Sequence, residues 1–173
     1  MNNERAFKPL SIAILTISDT RTQAEDKSGR LLRGMIEEAG HGIAEKAICP
    51  DDKYQIRAHV SRWIADPGVP VVITTGGTGL TGRDGTPEAV TPLLDKVMEG
   101  FGEMFRVLSY DGIGASTMQS RALAGVAGGT VIFCLPGSSG ACEDGWTKLI
   151  RHQLDYRSRP CNLVELMPRF LER

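Results

Sequence analysis

Val69-Pro70-Val71-Val72-Ile73-Thr74-Thr75-Gly76-Gly77-Thr78-Gly79-Leu80-Thr81-Gly82-Arg83-Asp84 is the stretch on which the fold of this chain turns. An apolar, β-branched run predicts a buried strand. It ends in a glycine-dense loop with hydroxyls and an acid, and Thr86-Pro87-Glu88 then predicts a helix start. Glycines let backbone N–H groups converge on an anion without side chains in the way, which makes phosphate the natural ligand. A Walker A loop is excluded, because Gly82 is followed by Arg83 and Asp84 instead of Lys-Ser/Thr. Gly77-x-Gly79-x-x-Gly82 has the letters of a dinucleotide fingerprint, but its third glycine does not open the helix, and no acid stands at a strand end ~20 residues on.

Outward from this loop the chain alternates strands and helices. Leu10 to Ile17, Gly42 to Cys49, Val69 to Thr75 and Thr130 to Leu135 read as strands. Asp26 to Ala39 reads as a helix, with Leu31, Leu32, Met35 and Ile36 at helical spacing and Gly40 as its stop. Asp51 or Asp52 caps a second helix, striped by Ile56, Val60, Trp63 and Ile64. From Pro87, the spacing of Val90, Leu93, Leu94, Val97 and Met98 predicts a long amphipathic helix. Phe101, Phe105 and Leu108 predict another, Gly112-Ile113-Gly114 a break, and Ala115 to Ala127 a helix of small residues. Ser138 to Tyr156 predicts the last helix, with Trp146, Leu149, Ile150 and Leu154 on one side. Strands apolar on both faces argue an α/β fold: a three-layer sandwich around a mostly parallel sheet.

At 173 residues, with twenty basic and twenty-one acidic side chains, the chain reads as one domain, 1–173, its core about 10–156 and its tail 157–173 wrapped over the surface. The balanced charge points away from nucleic-acid and membrane partners. Leu10 to Ile17 is too short for a signal core or a membrane span, so a cytoplasmic location is expected. Cys49, Cys134, Cys142 and Cys161 form no Cys-x-x-Cys pair, which argues against a zinc knuckle or redox dithiol. His41 beside a turn and His59 on a polar helix side are read as solvated; His152 stands far from both.

In parallel α/β sheets ligands lie outside the carboxyl ends of the strands. Four segments meet that edge: Thr16-Ile17-Ser18-Asp19, Pro50-Asp51-Asp52, Thr75 to Asp84, and Leu135-Pro136-Gly137-Ser138-Ser139-Gly140. Glycines and hydroxyls offer anion contacts, and Ser138 at a helix start favours phosphate. Asp51 and Asp84 would repel that phosphate unless a cation such as Mg²⁺ lies between. Taken singly, Asp51 or Asp52 could be an N-cap and Asp84 a turn residue; at one edge together they suggest an enzyme or binding module for a phosphate ligand.

The blocks Thr16-Ile17-Ser18-Asp19, Thr74-Thr75-Gly76-Gly77-Thr78-Gly79, Arg83-Asp84-x-Thr86-Pro87-Glu88, Gly100-Phe101-Gly102-Glu103-Met104-Phe105-Arg106, Ser120-Arg121-Ala122 and Leu135-Pro136-Gly137-Ser138 resemble, in order, the MoaB/MogA family of molybdenum cofactor biosynthesis. Arg157-x-Arg159-Pro160-Cys161-Asn162 resembles the ending of the MoaB branch. The resemblance implies a molybdopterin-binding fold. It also implies, for active members, adenylylation of molybdopterin by Mg-ATP with release of pyrophosphate; the alternative is a non-catalytic molybdopterin-binding or delivery protein. It assigns Asp51 and Asp84 as catalytic and Mg²⁺-holding acids. Ser18, Thr75, Gly76, Gly77, Thr78, Gly79, Gly137 and Ser138 become the nucleotide or pterin cradle, and Asp26, Ser28 and Gly29 a less uniform binding block. The family also implies a homotrimer or homohexamer, which the apolar side chains of Phe101, Phe105 and Leu108 are expected to serve.

Overall fold

The computed structural model describes residues 5–172. Its sheet has six strands: β1 (Ser11–Ile17), β2 (Gly42–Cys49), β3 (Val71–Thr75), β4 (Lys96–Val97), β5 (Leu123–Ala127) and β6 (Thr130–Leu135), in the order β2-β1-β3-β6-β5-β4. The first four in that order are parallel, and β5 and β4 are added antiparallel at one edge. Side chains of successive residues point to opposite faces, so each buried strand feeds two cores. Ile12, Ile14, Val71, Ile73, Val131 and Phe133 face one side. There they meet Leu32 and Ile36 of α1 (Lys27–Glu38), Phe101 and Phe105 of α4 (Glu99–Ile113), and Cys142, Trp146 and Ile150. Ala13, Leu15, Ile17, Val72, Ile132 and Cys134 face the other, against Ile56, Val60 and Trp63 of α2 (Lys53–Ile64) and Ala89 and Val90 of α3 (Thr86–Val90). This is the three-layer α/β sandwich the apolar strands predicted.

The order of strands creates the site. The chain leaves β1 for α1 on one face and leaves β3 for α3 on the other. Between the carboxyl ends of these adjacent strands a crevice must open, because their connections diverge.

Several expectations are corrected. The long helix from Pro87 stops at Val90, and after a 3₁₀ turn (Thr91–Leu93) the chain becomes β4. Pro92 has no N–H for a helical bond, and Arg57 instead donates to the end carbonyls of Glu88 and Ala89 at 2.8 and 3.0 Å. Leu94 packs instead against Gly125 of β5, where a Cβ would lie 2.6 Å from its Cδ1. The small-residue segment Ala115 to Ala127 is no helix but a 3₁₀ turn (Gly114–Gln119) followed by β5. Its small side chains permit close approach: a Cβ on Gly102 of α4 would sit 2.6 Å from the Ala122 carbonyl. The last helix runs from Ser139 through α5 (Ser139–Gly145), a π-helical stretch (Trp146–Ile150) and α6 (Arg151–Gln153). The tail is not only superficial, because α7 (Leu163–Leu166) buries Leu163 and Val164. His41 is buried, accepting from Leu10 N–H at its Nδ1 (3.2 Å), and His59 keeps a buried Nδ1 without a partner among the described residues, beside Trp63. His41 is therefore a packed side chain rather than a solvated one, while His59 is half-buried.

Candidate functional site

A cleft of about 780 Å³ opens at the carboxyl ends of β1, β3 and β6, walled by Ser18, Asp19, Arg21, Asp51, Gly76 to Gly79, Arg83, Asp84, Gly137 and Ser138. Phe105, Ser109, Ile113, Gln119 and Ser120 form a further wall from α4 and the turn after it. Nine of the sequence-predicted site residues thus share one concavity: Ser18, Asp51, Gly76, Gly77, Thr78, Gly79, Asp84, Gly137 and Ser138. The other four lie beneath it. Asp26 is fully buried as the N-cap of α1, where it accepts from Gly29 N–H and Thr16 Oγ and pairs with Lys46. Lys46 and the hydrogen bonds outweigh burial and hold its carboxyl below the usual range. Ser28 supports Arg21, Gly29 lets α1 sit against Asp26 and Thr16, and Thr75 donates to the Pro136 carbonyl at 3.0 Å.

The glycine loop is built around the two acids. Gly77 has a φ of 64°, and a Cβ there would stand 2.6 Å from Asp51 Oδ2 and collide with Thr86 Oγ. A Cβ on Gly79 would stand 2.7 Å from Asp84 Oδ2. The space left by missing side chains is therefore filled first by the protein's own carboxylates, rather than being reserved for a ligand alone. The N–H groups of Gly77 and Thr78 have no acceptor among the described residues. Arg121 braces the loop from behind: its Nε donates to Gly79 O (2.8 Å), its Nη2 to Asp84 O (3.0 Å), and Nη1 pairs with Glu88.

Asp52, not Asp51, caps α2, accepting from Tyr54 and Gln55 N–H groups. Asp51 is thereby released from the bland capping role. Its Oδ1 accepts from Gly85 N–H at 3.0 Å and its Oδ2 has no hydrogen-bond donor among the described residues. Asp84 Oδ2 accepts from Thr81 N–H and Oγ, leaving Oδ1 in the same condition. Burial raises the Asp51 pKa, and the charges of Asp84 and Asp19 add to this against the Gly85 hydrogen bond. Hydrogen bonds from Thr81 hold that of Asp84 down. Two carboxylates that repel each other, each with a spare oxygen, suit a cation shared with a ligand's phosphate. No group of three or more His, Cys, Asp or Glu positioned for a metal occurs among the described residues.

Residues the sequence reading left without a role are Asp19, Arg21, Ser109, Gln119 and Ser120. Asp19 accepts from Asp51 N–H at 3.0 Å and from Arg83 Nε at 2.9 Å, which lowers its pKa and draws Arg83 to the cleft. The strand-end rule already set Asp19 at this edge, and Arg21 lies just beyond that segment. It could not find the α4 wall, which comes from tertiary packing.

Residues 13–156 match the family model described as a probable molybdopterin binding domain. Molybdenum cofactor biosynthesis protein B of Escherichia coli (strain K12) is 55% identical over 156 residues, covering 90% of this chain and 92% of that protein. The Bacillus cereus protein of the same name is 47% identical over the same shares. A crystal structure of molybdenum cofactor biosynthesis protein B superposes with a TM-score of 0.84 at 49% identity, over 87% of this chain and 94% of that one. The tungsten cofactor synthesizing protein MoaB from Pyrococcus furiosus superposes with 0.78 at 37% identity, over 86% and 94%.

Proposed function

From membership of the MoaB/MogA family of molybdenum cofactor biosynthesis proteins, to which this chain belongs, we propose that it binds molybdopterin and Mg-ATP and adenylylates molybdopterin with release of pyrophosphate. The observation that carries the reading is the meeting in one cleft of Asp51 and Asp84, each with an oxygen unengaged among the described residues, and the N–H groups of Gly77 and Thr78, which have no acceptor among them.

In the proposed reaction a terminal phosphate oxygen of molybdopterin attacks the α-phosphorus of ATP. A new P–O–P bond forms, the bond from the α-phosphorus to the β-bridging oxygen breaks, and its electron pair leaves with pyrophosphate. The attacking group is already an anion, so no strong base is needed, and positioning with charge neutralisation supplies the acceleration. Mg²⁺ bound with ATP would neutralise the phosphate oxygens and the leaving group. Asp51 and Asp84 would hold that cation through Oδ2 and Oδ1. The loop amides would hold phosphate, and Arg83, fixed by Asp19, would add positive charge at the mouth.

Purified protein mixed with molybdopterin, ATP and Mg²⁺ should form adenylylated pterin and pyrophosphate in equal amounts. Pterin binding with no such product would replace the enzyme by a binding or delivery protein of the same pathway.

For assembly we propose a homotrimer or homohexamer. Phe101 and Phe105 are core residues, not the interface they were expected to be. The other side of α4 carries Met104, Val107 and Tyr110, exposed with Met118 beyond it. That apolar patch supports a contact between copies.

A further inference from the structure

Arg21, Arg83 and Arg121 border the loops of the cleft, and two of them are matched with acids. Arg83 pairs with Asp19 and Arg121 with Glu88. Arg21 has no carboxylate partner among the described residues. Its Nη1 donates to Ser28 Oγ at 2.9 Å, and Nη1 and Nη2 both donate to the Gly137 carbonyl at 3.3 Å. Those bonds use the tip of the guanidinium and its outer flank. What is left is the Nε–H with the remaining Nη2–H, side by side along one edge of the planar group. That edge is the fork that matches two oxygens of a single phosphate.

The neighbours of Arg21 suit the same ligand. Ser18 Oγ accepts from Arg21 N–H at 3.2 Å and Ser138 Oγ accepts from Ala141 N–H at 3.2 Å, so each hydroxyl keeps its proton to donate. Both residues are on the cleft wall. Asp144, a further acid on that wall, is paired with Lys148 at 2.7 Å. Asp19, two residues before Arg21, is matched by Arg83, so Arg21 keeps a charge that attracts a bare dianion, whereas Asp51 and Asp84 repel a bare phosphate and accept a cation-bound one.

We propose that Arg21, with Ser18 and Ser138, forms a second and metal-independent anion site that takes a phosphate monoester, namely the terminal phosphate of the pterin, while the acidic end takes the metal-bound polyphosphate. The proposal rests on the molybdopterin reading given above. Arg21 then gives the pterin phosphate a place that Asp51 and Asp84, which repel a bare phosphate, do not offer.

The test is equilibrium binding to the full chain, under anaerobic conditions, of molybdopterin, of its dephosphorylated form and of Mg-ATP, using wild type, Arg21→Gln and Arg21→Lys. Wild type should prefer the phosphorylated pterin by about ten- to a hundredfold, the range of charge-assisted hydrogen bonds. Arg21→Gln should lose that preference while binding dephosphorylated pterin and Mg-ATP as wild type does. Arg21→Lys, which keeps the charge but not the fork, should retain part of it and carries the test if the glutamine variant misfolds. The proposal is overturned by a preference that survives intact in either variant, by a wild type with no preference, or by equal weakening of both pterins, which marks a purely structural role. A wild type that binds neither pterin overturns the molybdopterin reading itself, a result distinct from all of these.

Discussion

Gly77 and Gly79 differ in what their missing side chains make room for, and the difference can be measured. At Gly79 a side chain meets the carboxylate of Asp84, whose residue stands at the cleft edge and can be pushed aside. Gly79→Val should abolish nucleotide binding, read by equilibrium dialysis, with a nearly native far-ultraviolet circular dichroism spectrum. Gly77 has positive φ and backs onto Thr86 and Asp51, so the same change there should also lower the melting temperature. Normal nucleotide binding by folded Gly79→Val would remove the loop from the site. Asp84→Asn keeps the shape of the side chain and removes its charge. Turnover should fall by about 10²- to 10³-fold, the scale of a lost oriented charge at a reacting phosphate, with little change in stability because Asp84 is only partly buried. Unchanged turnover at saturating Mg²⁺ would exclude it as a metal holder.

Among the secondary-structure elements, α2 and β1 carry tests that separate support from chemistry. Asp52 caps α2 with two backbone hydrogen bonds and is not on the cleft wall. Asp52→Ala should cost ~0.5 to 2 kcal/mol in denaturant melts and leave adenylylation intact; a large loss of activity without loss of stability would reverse the roles assigned to Asp51 and Asp52. Before β1, the Leu10 N–H donates to Nδ1 of buried His41, a bond that only the unprotonated nitrogen can accept. Burial lowers the His41 pKa below its ordinary value of 6.5, and the charge of Asp155 only partly opposes this. The unfolded chain therefore binds a proton at a higher pH than the folded one. Stability from this group is fully present above about pH 6.5 and declines as pH falls from there toward the folded pKa. Melting temperatures between pH 5 and 8 should show that decline in wild type and a flatter profile in His41→Gln; parallel profiles would refute the assignment.

For the whole molecule, the decisive surface is the outer face of α4. Val107 is 63% exposed and Met118 79%, a patch that the proposed contact between copies would cover. A ring of three closes one heterologous patch, and two rings stacked back to back add a two-fold contact. Light scattering at micromolar concentration should give a mass three or six times that of the single chain, and Val107→Glu should reduce it. A wild-type mass near 18.7 kDa would exclude the assembly.

The sequence by itself determined the layers and the edge of the sheet where the cleft lies. β-branched runs can be buried on both faces only in a parallel sheet covered by helices, and glycine, hydroxyl and carboxylate side chains gathered at the segments that leave those strands. Periodicity misled where one pattern fits two structures. Val90, Leu93, Leu94, Val97 and Met98 have helical spacing, yet Pro92 ends the helical bonding and Arg57 takes the freed carbonyls. The stretch from Ala115 to Ala127 has the composition of a helix, yet its small residues serve the close packing of β5 against α4 and β4. Only the tertiary structure decided which of two adjacent aspartates caps α2 and which lines the cleft, because the answer depends on Gly85, Asp84 and Asp19, which the chain brings to Asp51 from elsewhere in the sequence. It alone decided that the phenylalanines of α4 face inward and that Arg21 has no acid partner among the described residues, since charge pairing between loops is set by their distance in space, not by their order along the chain.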